Sequence, residues 1–239
     1  MSSAFRQRRS GQFRTLIILV VAIGALLIAL VGMAIQKPDN EYENVQGKQD
    51  MRQIFGGVRQ LDDRLGSDDA PAQMQVFLDA QSSTYKDQFL DTIPALVSGP
   101  VRDGTLKLLY RNRSLTRNAT ERSFYGIEAA MKQGYGWQYA YLMFRNQDLA
   151  KEQGIDDDFL TTLAESIDNL EIEQWKQDYQ DGLEEGSAMN ADLQAQDQIA
   201  IDLKIRDAPA AVVNGPSGTE ILQDAPDLAE MQAAIGEVQ

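Results

Sequence analysis

The chain of 239 residues contains no cysteine and no histidine. Without cysteine there is no disulfide, no thiolate nucleophile and no thiol redox couple. Without histidine no imidazole can shuttle a proton near neutral pH, and zinc loses its two most frequent ligands. Proline is scarce at seven residues, so each one inside a patterned stretch is informative. Positive charge is also short. Lys and Arg number 22 against 36 Asp and Glu, a net charge of −14. Such a chain is a poor partner for nucleic acid, whose affinity comes from neutralised phosphates. The acidic stretch Glu152 to Glu185 lacks the D-x-[DN]-x-[DN]-G spacing of a calcium loop. It reads as solvated helix faces, with Asp156 to Asp158 capping a helix. No metal and no cofactor are expected.

What is present begins with "TLIILVVAIGALLIALVGMAIQ", residues 15–36, which carry no charge. About 20 apolar residues cross the hydrocarbon core of a bilayer. Arg6, Arg8, Arg9 and Arg14 precede the run, and Lys37, Asp39, Glu41 and Glu43 follow it. The positive-inside bias therefore predicts a cytoplasmic tail over 1–14, a membrane span over 15–36 and an extracytoplasmic remainder. A cleaved signal peptide is the alternative, but its apolar region is about 7–15 residues and ends in an A-x-A-like site. Beyond the span, 18 basic residues face 36 acidic ones. That excess reads as a soluble surface or as adaptation to salt.

Residues 37–73 are polar and mixed and read as a linker, with room for a short helix or strand around "MRQIFGGVRQL". "MQVFLDA" alternates apolar and polar residues and predicts a strand. Ser83 to Ser98 has helical spacing, with Phe89, Leu90, Ile93, Leu96 and Val97 on one face and Pro94 as a bend. Thr84 and Asp87 fit a capping box. "GTLKLLYRN" is the next strand. From about 115 to 203 the pattern is helical throughout. "PAAVVNG" and "TEILQ" then form a hairpin across "NGPSG". "APDLAEMQAAIGEV" closes the chain as a helix opened by Pro226. The order predicts an α/β fold over 74–239 with an all-helical insertion at about 115–203.

These segments carry a resemblance from about Gly56 to Val238. "LGSDDAPAQMQVFLDAQ", "FLDTIPAL", "GTLKLLYRNRSL", "EAAMKQGYGWQYAYLMFRNQ" and "IRDAPAAVVNG" occur in this order. Together they resemble the membrane-anchored, DsbA-like branch of the bacterial thioredoxin-fold thiol–disulfide oxidoreductases. The resemblance implies a thioredoxin-like fold, a proline-bent active-site helix and a cis proline at Pro209. It also implies a C-x-x-C motif where this chain has Ser82, Ser83, Thr84 and Tyr85. Both cysteine positions, Ser82 and Tyr85, are substituted, and Ala208 stands where the family usually has Thr or Val. A serine hydroxyl is far harder to ionise than a thiol, and no histidine can serve as its base. The family's catalysis does not carry over, and the chain is not expected to be an enzyme.

The remaining expectations weigh docking against packing. Ser82 and Ser83 read as helix N-cap residues. Tyr85, Ala208 and Pro209 are the candidates for a groove that receives an extended protein or peptide segment outside the cytoplasm. A single-span accessory subunit docking through its helical block or its span is the alternative. Residual carboxylate chemistry at Asp79 finds no partner acid in the sequence. Phe124, Tyr125, Tyr135, Trp137, Tyr139, Tyr141 and Phe144 read mainly as helical core. The sequons at Asn112 and Asn118 read as chance matches.

Overall fold

Alternation in "AQMQVFL" builds the central strand, β3 (Ala72–Leu78), in which Ala72, Met74 and Val76 are buried on one face. The computed structural model describes residue 42 and residues 44–113, 120–206 and 208–239. Backbone contacts divide the chain into Met1–Glu43 and Asn44–Gln239, and the second unit is described below. The basic tail, the apolar run over 15–36 and Asn118 lie outside the described residues. Among the described residues no helix is long and apolar enough to cross a membrane.

The stretch read as linker is folded from Asn44 onward. It carries α1 (Lys48–Phe55) and a tight hairpin of β1 (Gln60–Leu61) and β2 (Arg64–Leu65). Met51, Phe55 and Leu65 are buried. With Val45 and Ala70 also buried, a few apolar anchors among many polar residues suffice to dock this segment, and so few give the sequence a linker-like composition. After β3, α2 (Lys86–Leu96) crosses over to β4 (Leu106–Asn112), which runs parallel to β3 in the register Ala72↔Leu106. The six strands lie in the order β1-β2-β4-β3-β5-β6. The last two are β5 (Ala210–Gly215) and β6 (Gly218–Leu222), an antiparallel hairpin whose first strand pairs with β3.

Between β4 and β5 the described residues form six helices: α3 (Thr120–Met131), α4 (Gly136–Arg145), α5 (Gln147–Gln153), α6 (Asp157–Glu165), α7 (Ile172–Leu183) and α8 (Ala188–Asp202). Their shared core is aromatic. Trp175 stacks on Tyr139 and Tyr179 with ring centroids 5.7 and 5.2 Å apart, and its indole N–H donates to Gly126 O at 2.9 Å. Gly126 is needed there, because a Cβ would stand 2.8 Å from the Tyr139 hydroxyl. Of the aromatic set only Tyr135 is left half-buried. The end of α8 closes the second face of the sheet, where Ala200 and Ile205 join Phe77, Ala210 and Val212 in one cluster. Asn112 is 2% exposed, so its sequon is sterically shut in the folded chain.

The closing helix, α9 (Leu228–Val238), begins two residues later than its proline suggests. Asp227 is the cap, its side chain accepting from Glu230 N while Glu230 accepts from Asp227 N. Pro226 lies just outside, and its carbonyl accepts from the Gln88 side chain, which ties α9 to α2.

Candidate functional site

The parallel pair β3–β4 ends at Leu78 and Asn112, and its carboxyl edge is where an α/β sheet usually presents a ligand site. The chain leaves β3 through Asp79, which is 7% exposed. Gln81 N donates to Asp79 Oδ1 at 3.0 Å and Ser82 N to Asp79 O at 3.0 Å. This Asx-type turn reverses the chain toward α2. Asp79 thus holds backbone, and among the described residues no acidic cluster fit to hold a metal surrounds it.

Ser83 to Tyr85 form one 3₁₀ turn, with Tyr85 N donating to Ser82 O at 3.3 Å. The α-helix starts only at Lys86, with Tyr85 in the cap position. Neither Ser82 nor Tyr85 makes a side-chain cap hydrogen bond. The capping expected of Ser82 is therefore absent. The capping box expected from Thr84 to Asp87 also loses its frame, because the helix begins after Thr84 rather than at it.

The turn is held from the side instead. Gln147, 3% exposed, donates its amide to Ala80 O at 2.8 Å and to Ser82 O at 3.2 Å. Its neighbour Asn146 donates to Leu142 O at 2.8 Å, which fixes the junction of α4 and α5. Gln81 adds a third tie, donating to Ser123 Oγ on α3 at 2.9 Å. Phe89 on α2 stacks on Phe144 of α4 with centroids 4.1 Å apart. Sequence reading found "FRNQ" as a signature of the insertion but assigned no role to Gln147. Its two carbonyl partners lie more than sixty residues away, and no local spacing encodes that contact.

Across from this turn the Ala208–Pro209 peptide bond is cis, as the resemblance implies. Ala208 is 1% exposed, Pro209 is buried and Tyr85 is half-buried. Pro209 O accepts from Ala225 N at 3.0 Å. Of the three groove candidates, Tyr85 alone offers appreciable side-chain surface. Large exposed apolar residues lie elsewhere, at Leu61, Ile201 and Ile221.

Two titratable groups under the site are displaced. Burial pushes the Tyr110 hydroxyl well above its ordinary range, and the nearby Asp79 and Glu128 charges add to this. The half-buried Glu128 is pushed up to about 7, chiefly by burial, with Asp192 and Asp63 adding and Gln196 and Arg111 opposing. Its carboxylate lines a cleft of about 300 Å³ with Asp63, Arg111, Asp192 and Gln196. Side-chain chemistry at the turn itself is limited to hydroxyl groups, an aromatic ring and the Lys86 ammonium.

The chain matches no protein-family model. No curated protein matches it by sequence either. Its fold does match solved structures. Oxidised BdbD from Bacillus subtilis superposes with a TM-score of 0.58 at 18% identity, over 75% of this chain and 96% of that one. DsbA from Chlamydia trachomatis gives 0.62 at 14% identity, over 73% and 90%. The thiol–disulfide exchange protein alpha-DsbA2 from Wolbachia pipientis gives 0.53 at 15% identity, over 81% and 94%. The folded unit therefore has a thioredoxin-like α/β fold with a helical insertion, similar to the fold of these proteins, and the chain has no cysteine.

Proposed function

We propose that this protein is a redox-inactive, membrane-tethered thioredoxin-like domain that captures an extended segment of an extracytoplasmic protein beside Tyr85 and the Pro209 loop. One observation carries the reading. A buried glutamine, two backbone carbonyls and a stacked aromatic pair still position the Ser82–Tyr85 turn, although no thiol remains there to be positioned. A turn retained without its reactive groups fits recognition rather than chemistry. The uncharged run over 15–36 behind four arginines supports the tether and the outward orientation.

The test places a photo-reactive residue at position 85 in the full chain and irradiates intact membranes. A discrete adduct is expected. Tyr85→Ala, assayed with a cross-linker elsewhere, should lower its yield several-fold at unchanged thermal unfolding. Equal recovery from an equally folded Tyr85→Ala chain rejects the groove.

The second reading, an accessory subunit docked through its helical block or its span, has its own support. Ala208 and Pro209 are buried, while Ile201 at the end of α8 is 58% exposed. In that case Ile201→Asp, and not Tyr85→Ala, abolishes the cross-link.

A further inference from the structure

Beside the Ser82–Tyr85 turn lies a cleft of about 250 Å³ lined by Gln46, Lys86, Arg145, Asn146, Asp148 and Leu149. Lys86 follows Tyr85 directly and is the first residue of α2, so the cleft opens near the positive end of an 11-residue helix. Its walls are fixed. Asn146 Oδ1 accepts from Gln46 N at 2.8 Å, and Asn146 Nδ2 donates to Gln46 O at 3.1 Å. Gly47, at φ +84°, lies against the Arg145 stem, and a Cβ there would stand 2.9 Å from Arg145 Cγ.

The charges in the cleft are unequal. The Lys86 ammonium lies 2.6 Å from Asp148 Oδ2, so those two largely cancel. Arg145 is exposed. Every other described arginine donates to a carboxylate or, in Arg102, to the carbonyls that end α1. Arg145 has neither kind of partner among the described residues. In a chain of net charge −14, an arginine with acids in such excess and none paired to it is an unusual placement. It stands in a preformed cleft at the flank of the proposed docking turn.

We propose that this cleft receives an aspartate or glutamate side chain of the captured segment, with the Arg145 guanidinium as its counter-ion. The inference rests on the reading of the turn as a docking site and adds the chemistry of the occupant. A guanidinium presents a planar fork of donors that suits a carboxylate. The acidic body repels such a segment only at short range, since charges beyond about 8–10 Å are screened at physiological salt. Arg145 therefore sets the register of the segment more than its overall affinity.

The experiment measures binding of fluorescent ten-residue peptides to the full chain in detergent. One set carries a single Glu stepped along a neutral Ser/Val background, and its twin set carries Gln at the same positions. At one register the Glu peptide should bind about two- to five-fold tighter than its Gln twin, the worth of one partly solvated ion pair. The preference should vanish at high salt and in Arg145→Gln, and turn toward a Lys peptide in Arg145→Glu. Arg145 is exposed, so these variants keep the fold. Equal binding of all twins, with Tyr85→Ala still weakening both sets, overturns the inference and leaves the docking site standing. A preference that persists in Arg145→Gln overturns it too. Failure of every peptide in both sets to bind rejects the docking site and the inference together.

Discussion

At the scale of single residues, the turn that replaces a redox motif depends on Gln147 and not on its own hydroxyls. Ser82 makes no cap hydrogen bond, so Ser82→Ala should change unfolding free energy by less than about 0.5 kcal/mol. A working N-cap would cost about 1 kcal/mol. Gln147→Ala strands the carbonyls of Ala80 and Ser82 and should cost about 1–3 kcal/mol. Urea denaturation of the two variants checks both numbers, and a larger loss for Ser82→Ala than for Gln147→Ala would return the turn to local capping. Gln147 Oε1 is itself buried without a partner. Glutamate at this position would keep the shape but face two carbonyls with acceptors only, so Gln147→Glu should be worse than Gln147→Ala.

At the scale of elements, the contact between α3 and α8 is sensitive to pH. Gln196 on α8 donates to Glu128 Oε1 on α3 at 3.2 Å and accepts from Asn112 N on β4 at 2.6 Å. Glu128 shares this cleft with Asp192 of α8, Asp63 of the β1–β2 hairpin and Arg111 of β4. Its carboxyl rises from 4.5 to about 7 on folding, so the folded chain holds that proton more tightly than the unfolded one. The contribution of Glu128 to stability is therefore highest below pH 4.5, falls as pH rises from 4.5 to about 7, and stays low above. Glu128→Gln removes the penalty and keeps an oxygen for Gln196. It should gain about 1–3 kcal/mol at pH 8 and nothing at pH 4. Thermal or urea unfolding of wild type and variant across that range checks the sign. A constant difference at all pH values would mean that Glu128 does not titrate in this window.

At the scale of the whole molecule, absence of thiols and excess of acid act together. A DsbA-type scaffold without cysteine has no group to form a mixed disulfide. The purified chain should give no insulin reduction and no oxidative refolding of a reduced substrate above buffer. Turnover that survives removal of contaminating oxidoreductases would overturn this expectation. The net charge of −14 should keep the folded body soluble and leave partner choice to local features such as Arg145.

Much of this architecture is legible from local pattern. Strand-forming patterns mark β3 and β4, helical spacing marks α2, the helical block over about 115–203 as a whole and α9, and "NGPSG" marks the β5–β6 hairpin, because each is a contact between near neighbours in sequence. The segment list and the substitution of Ser82 and Tyr85 for thiols follow from the residues alone, as does the expectation that Pro209 is cis once the resemblance is drawn. The tertiary structure decided what long-range contact controls. It recruited α1 and the β1–β2 hairpin through a few buried side chains in an otherwise polar stretch. It moved the start of α2 from Ser83 to Lys86, because Gln147 and Asp79 hold the preceding turn and no local cap is required. It buried Ala208 and Pro209 while leaving Tyr85 half-open, and it set Arg145 in a cleft with no carboxylate paired to it among the described residues. No local spacing rule joins groups so far apart in sequence, since their proximity exists only after the helical insertion has packed onto the sheet.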